Sequence, residues 1–265
     1  EVDDTSLRKN DGTRGPLNER RVIQIEHAKS NSEWIGASLS EDMEGHKYPF
    51  HFIDFEASRL AVPYHEGMHP YQQVAFQWSC HTIAGPDEAL QHHEWINLDD
   101  KYPNFAFARS LYECLGDEGT IFIWSPFENT ALREIHDEME RVGHGDQELL
   151  TWLKTVVRFG KDGPTRLIDM HRMCVDGYLH PRMKGRTGIK YTLDAVWQEG
   201  DWIREEFDEY LVTEGDQILS PYAGLPIIRV GETEVAVAEG TGAIRAYEAM
   251  MYGLESTNAK TKQEW

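Results

Sequence analysis

The sequence predicts an α/β fold with a mixed central sheet, and three observations carry that expectation. "FHFIDFEA" (50–57) and "QQVAFQWSCHTI" (72–83) are strand-like runs joined by a Pro/Gly/His-rich connection, which reads as an antiparallel pair with a long loop. "GTIFIW" (119–124) is a short buried-type strand that runs straight into a helical pattern. "TRLIDMHRMC" (165–174) repeats that strand-to-helix form, and strands followed by strand-to-helix units belong to the α/β class.

The remaining elements come in chain order. Residues 1–45 are expected to be a polar N-terminal extension or linker, with one mixed stretch at 21–40 able to pack on the domain after it. "NFAFARSLYECLG" places Phe105, Ala108, Leu111, Tyr112 and Leu115 at helical spacing and ends on Gly116. In "SPFENTALREIHDEMERV", Ser125 suits an N-cap, Pro126 the first helical position and Glu128 the acidic first turn. "QELLTWLKTVVRF" reads as a further helix, and "TGIKYTLDAVW" opens a helix or turn. Residues 198–215 are acidic and solvated, and "TEVAVAEGTGAIRAYEAMMYG" combines an apolar run, a Gly turn and a helix. The domain is expected to span 46–255, with 256–265 a frayed tail.

Composition narrows the function. The 265 residues are 40% hydrophobic with eight Trp and ten Phe, as a folded globular protein requires. A formal charge of −20 repels polyanions on average, so a long basic nucleic-acid footprint is not expected and any such contact must be local or metal-assisted. No apolar run is long enough for a membrane span, and "EVDDTSLRKNDGTRG" is no signal peptide. The chain begins without Met, as a trimmed product or part of a longer polypeptide would. Cys80, Cys114 and Cys174 are too few and scattered for a disulfide framework or zinc ribbon, and a reducing cytoplasm is expected.

Asp54 and Glu56 are the central chemical feature. Strand alternation points both to one face while Ile53, Phe55 and Ala57 point to the other. Two acids so placed repel each other and lose hydration, a cost that a cation between them removes. Such pairs also occur on solvated strands, but the apolar surroundings argue against that reading. Glu128, Asp169 and Glu239 each stand at a strand-to-helix junction, where open α/β sheets place their sites. For Glu128 the alternative is a helix N-terminal acid answering the macrodipole. Oxygen donors of this kind suit Mg²⁺ or Mn²⁺, and two-metal phosphodiester hydrolysis needs several of them converging.

Twelve histidines invite a zinc reading, but Gly67 and Pro70 disfavour a helix for His65 and His69, and His92 and His93 diverge in any regular element. His171 and His180 are candidates for a general base or substrate contact, with surface or core polar roles as the alternative. Arg182, Lys184, Arg186 and Lys190 gather in a Gly-containing loop suited to phosphates, or to balancing nearby acids. Tyr64, Tyr71 and Trp78 could stack on unpaired bases or pack in the core.

The ordered segments "FIDFEA", "HPYQQVAFQWSCH", "IWSPFENTALREI", "RLIDMHRM", "YLHPRMKGRTGIKYTLDAVW" and "VAEGTGAIRAYEAMMYG" resemble the domain-of-unknown-function 2779 family, which is similar to DEDD-type exonucleases of the RNase H-like fold. The resemblance implies an RNase H-like mixed sheet with flanking helices and a metal-dependent 3′–5′ exonuclease acting on single-stranded DNA or RNA ends with two Mg²⁺ or Mn²⁺ ions. It puts Asp54 and Glu56 on the first exonuclease motif and Glu128 on the second, where an Asp is usual. The third motif departs: Thr241 and Ala246 stand where a His and an Asp are expected. The fourth carboxylate then comes from Glu239 or Asp169, or the domain is a degenerate binding module.

Overall fold

A computed structural model describes residues 16–161, 163–225, 227–230, 233–236 and 240–252. In chain order the elements are α1 (Pro16–Ser30), β1 (Trp34–Ile35), α2 (Ala37–Glu44), β2 (Phe50–Arg59), β3 (Gln73–Ile83), β4 (Gln91–Ile96), α3 (Asn104–Leu115), β5 (Thr120–Ile123), α4 (Phe127–Val142), α5 (Gln147–Val156) and β6 (Leu167–Asp169). They continue with α6 (Met170–Gly177), β7 (Tyr178–Leu179), α7 (Ile189–Glu199), α8 (Asp201–Glu206), β8 (Thr213–Glu214), β9 (Gln217–Ile218), β10 (Ile227–Val230), β11 (Thr233–Ala236) and α9 (Gly240–Tyr252).

The chain divides into two compact units, one from the segments up to His46 and Met170–Gly224, the other from Lys47–Asp169 and the segment after Gly224. The second unit holds a five-stranded sheet in the order β4-β3-β2-β5-β6. β2, β3 and β4 pair antiparallel in succession, whereas β2–β5 and β5–β6 are parallel. The sheet is therefore mixed, with α3 to α5 supplying the flanking helices.

Alternation along β2 buries Ile53 and Phe55, which join Ala75, Trp78, Cys80, Ile121, Ile123 and Leu167 in one apolar cluster with α3, α4 and α5. Phe107, Leu111 and Leu115 from α3 complete it, so the face of α3 that is buried centres on Phe107 rather than Phe105. A bulge interrupts the β2–β3 ladder: Glu56 pairs with Gln77 and Ala57 with Ala75, leaving Phe76 unpaired. Phe76 stacks instead on Tyr247 of α9, ring centroids 3.9 Å apart, in a second cluster with Met250 and Met251. Gly119 enters β5 at φ +86°, where a Cβ would strike the Pro49 carbonyl that accepts the Thr120 N–H. That close approach sets β5 beside β2.

Three features depart from the sequence reading. β4 falls in a stretch to which the sequence pattern assigns no element, because an edge strand exposed at nearly every position has no buried face to impose alternation. The N-cap of α4 is Pro126 rather than Ser125, which takes φ +85° and turns the chain out of β5. Residues 16–45, read as an extension or linker with one stretch able to pack, carry α1 and α2 and belong to the first unit, where Arg20 donates to the Val175 and Tyr178 carbonyls and Trp34–Ile35 pairs with Tyr178–Leu179. These contacts join segments more than 140 residues apart, which no local pattern reveals. Among the described residues no helix is long and apolar enough to cross a membrane.

Candidate metal centre

Four carboxylates interact electrostatically: Asp54 and Glu56 in the middle of β2, Glu128 just after β5 and Asp169 at the end of β6. Asp54 and Glu56 lie on β2, on the side opposite the buried Ile53 and Phe55. β5 ends at Ile123, and the Ser125 turn delivers Glu128 in the first turn of α4. Asp169 closes β6, paired with Ile123, and its Oδ1 accepts the Ser125 N–H at 3.0 Å. That hydrogen bond holds Ser125 in a left-handed conformation that a non-Gly residue adopts at a cost. Asp169 thus helps aim the segment that carries Glu128.

The electrostatics tie the four together. Asp54 reaches solvent, yet burial raises its carboxyl above the ordinary range against the lowering effect of the Phe55 N–H. Burial and then repulsion from Asp54 push Glu56 up to about 7. Glu128 is 3% exposed, and burial raises it to about 8, with Asp54 and Asp169 adding repulsion against its own backbone N–H. Its Oε2 is buried without a hydrogen-bond partner. An unmatched carboxylate oxygen in the interior is a costly feature, and a cation is one remedy.

Among the described residues, no three His, Cys, Asp or Glu side chains are grouped tightly enough to hold a metal ion as they stand. Mutually repelling carboxylates do not close up unaided. The donor chemistry nevertheless fits a hard divalent cation, since the set is all oxygen and includes the orphaned Glu128 Oε2.

His171, His180, Arg182, Lys184, Arg186 and Lys190 belong to the first unit. His180 is buried, its Nδ1 accepting the Arg182 N–H and its Nε2 lying 3.4 Å from Glu199. His171 Nε2 is 2.8 Å from Thr187 Oγ1. Arg182 faces Glu199, Arg186 donates to the Tyr191 hydroxyl and Lys190 sits over the Tyr222 ring. The basic loop therefore spends part of its charge internally. Trp78 is a core residue that donates to Ser110, whereas Tyr64 and Tyr71 are exposed. Glu239 lies outside the described residues. The sequence missed the Ser125–Asp169 contact, although two apolar runs ending in parallel, one on "WSP" and one on Asp169, carried the signal.

Residues 51–188, just over half of the chain, match the model of a family described as Domain of unknown function (DUF2779). The protein is a DUF2779 member. The DUF2779 match includes Asp54, Glu56, Glu128 and Asp169, and it leaves Lys190 and Glu239 outside. No match was found among curated proteins or among solved structures.

Proposed function

We propose that this DUF2779 protein is a metal-dependent nuclease of the DEDD exonuclease type, built on an RNase H-like sheet and acting 3′–5′ on single-stranded nucleic-acid ends in the cytoplasm. The observation that carries the reading is the electrostatically linked group of Asp54 and Glu56 in mid-β2, Glu128 just after β5 and Asp169 at the end of β6. The strand order supports the fold reading: the first strand of the sheet is central, with an antiparallel hairpin on one side and two parallel strands on the other. Asp54 and Glu56, with Glu128, would hold Mg²⁺ or Mn²⁺, and Asp169 is the better candidate than Glu239 for the fourth carboxylate because it acts on Glu128 directly. The bound ions would activate water and offset charge on the phosphate.

This chain's own residues do the rest. Burial of Glu128 limits the screening of its carboxylate by bulk water, while Asp54 beside it remains open to solvent for a cation to enter. At neutral pH the raised carboxyls retain protons that a cation must displace, which makes metal uptake stronger as pH rises from about 7 to about 8. Labelled single-stranded oligonucleotides with Mn²⁺ test the proposal: shortening from the 3′ end is expected, and it should vanish when Asp54→Ala and Glu56→Ala are combined. Unchanged degradation in that double variant overturns it.

A second reading, a degenerate module that binds without cleaving, draws on Thr241 and Ala246 at the third-motif positions and on the absence of a tight three-donor group among the described residues. Calorimetry separates the two. Mn²⁺ binding that is lost in Glu128→Gln supports the enzyme, and no Mn²⁺ binding supports the module.

A further inference from the structure

The packed side of the sheet holds a polar cluster that the carboxylate group does not use. Cys80 on β3 is wholly buried, and its Sγ lies 3.4 Å from Thr82 Oγ1. That hydroxyl is 2.9 Å from Nδ1 of His51 on β2, a buried residue whose Nε2 has no hydrogen-bond partner. Cys114 on α3 is half-buried, packs against the same core and hydrogen-bonds to Cys80, and both cysteines are free.

The contact follows from the way α3 runs along β3. At the start of α3 the Asn104 side chain accepts the Ala75 N–H at 2.9 Å and donates to the Gln73 carbonyl at 3.0 Å. Further on, the Trp78 indole donates to Ser110 Oγ at 2.9 Å. Two residues of strand advance about 6.6 Å on one face and four residues of helix about 6 Å, so the step from Trp78 to Cys80 matches the step from Ser110 to Cys114. Ala75 and Ala108 are buried and small enough to let the helix lie close, and Cα atoms of α3 and β3 come within 8 Å of each other.

We propose that Cys80 and Cys114 are a redox pair that closes to a disulfide, with a low-molecular-weight disulfide of the glutathione class as oxidant. The half-buried Cys114 is the sulfur such an oxidant reaches first. The pair shares one proton, donated by Cys114 to Cys80. As the Cys114 sulfur attacks one sulfur of the oxidant RSSR, that proton leaves with the expelled group as RSH; the Cys80 thiolate then attacks the Cys114 sulfur of the mixed disulfide and expels RS⁻. The protein gives up two electrons and RSSR takes them. Donation from Cys114, against burial, and then from His51 and Thr82 holds the Cys80 thiol below its ordinary pKa, which makes Cys80 the thiolate of the pair. In a reducing compartment the pair rests as thiols and closes when the disulfide pool rises. Cys80 is the register partner of Ile53, next to Asp54, so the bridge ties α3 to the strands that carry the carboxylates.

The test exposes the whole, natively folded chain to oxidised glutathione, blocks the remaining thiols and maps the peptides by mass. Two of the three cysteines should be consumed as a Cys80–Cys114 link, with Cys174 left free, and excess reduced glutathione should restore all three. Oxidation should also raise the melting temperature, since the bridge encloses residues 81–113 and restricts the unfolded chain. Cys80→Ser should stop at a glutathione adduct on Cys114, Cys114→Ser should leave the buried Cys80 unmodified, and Cys174→Ser should form the link as wild type does. Three free thiols in the oxidised wild-type chain, a link that involves Cys174, or a link that forms only in denaturant would each overturn the pair.

Discussion

The two faces of the five-stranded sheet are made from the same strands and differ in character. On one, Ile53, Phe55, Ala75, Trp78, Ile121, Ile123 and Leu167 pack against α3, α4 and α5. On the other, alternate residues of β2, β3 and β4 present Asp54 and Glu56, Ser79 and His81, His92 and Glu94. The strand period of two is what makes this possible: core and polar side chains occupy interleaved positions and can be changed separately. Glu128 is the exception. It is a charged-type residue that is buried.

Four measurements probe that division. The largest stability effect should come from the packed face: Phe107→Ala removes a fully buried ring and should cost about 3–5 kcal/mol in chemical denaturation. If Phe107→Ala is nearly neutral, the packed face does not hold the unit together.

Glu128→Gln should do the reverse. The folded pKa is raised from 4.5 to about 8, so between those values the native state holds a proton that the unfolded state has released. Wild-type stability should therefore be unaffected by this group below about 4.5, fall as pH rises, and level off above about 8. The variant should lack that decline and melt at higher temperature than wild type at pH 8. A parallel pH dependence in the two proteins would refute the assignment.

A smaller change is expected at the strand end. Asp169→Ala removes the acceptor of the Ser125 N–H but also relieves repulsion on Glu128, for a net loss of about 1 kcal/mol. Asp169→Asn keeps an acceptor and should cost less, and equal costs would mean that the Ser125 contact contributes nothing. Smallest in stability is Lys184→Ala, an exposed loop change expected to stay within about 0.5 kcal/mol. Its effect should instead appear as a reduced salt dependence of single-strand binding, and an unchanged slope would remove this loop from the nucleic-acid surface.

Much of this was legible without coordinates. The helix over α3 ends on Gly116 as its spacing requires, and Asp54 and Glu56 do share the side opposite Ile53 and Phe55. Glu128 and Asp169 were recognisable as acids following apolar runs, because a strand-to-helix junction is a local pattern. β4 was not legible, since its stabilisation comes from pairing with β3 rather than from its own side chains. Nor was the grouping of residues 16–46 with 170–224, which depends on contacts between distant segments.

The sequence by itself determined the α/β class, the alternation that separates acids from core on β2, and the positions of α3, α4 and α5, because each rests on interactions between near neighbours in the chain. Only the tertiary structure decided that Asp169 holds the Ser125 turn, that Glu128 is buried within reach of Asp54, and that His92 faces His81. Those pairings are set by strand order and register, and register is fixed by which faces of distant segments bury together.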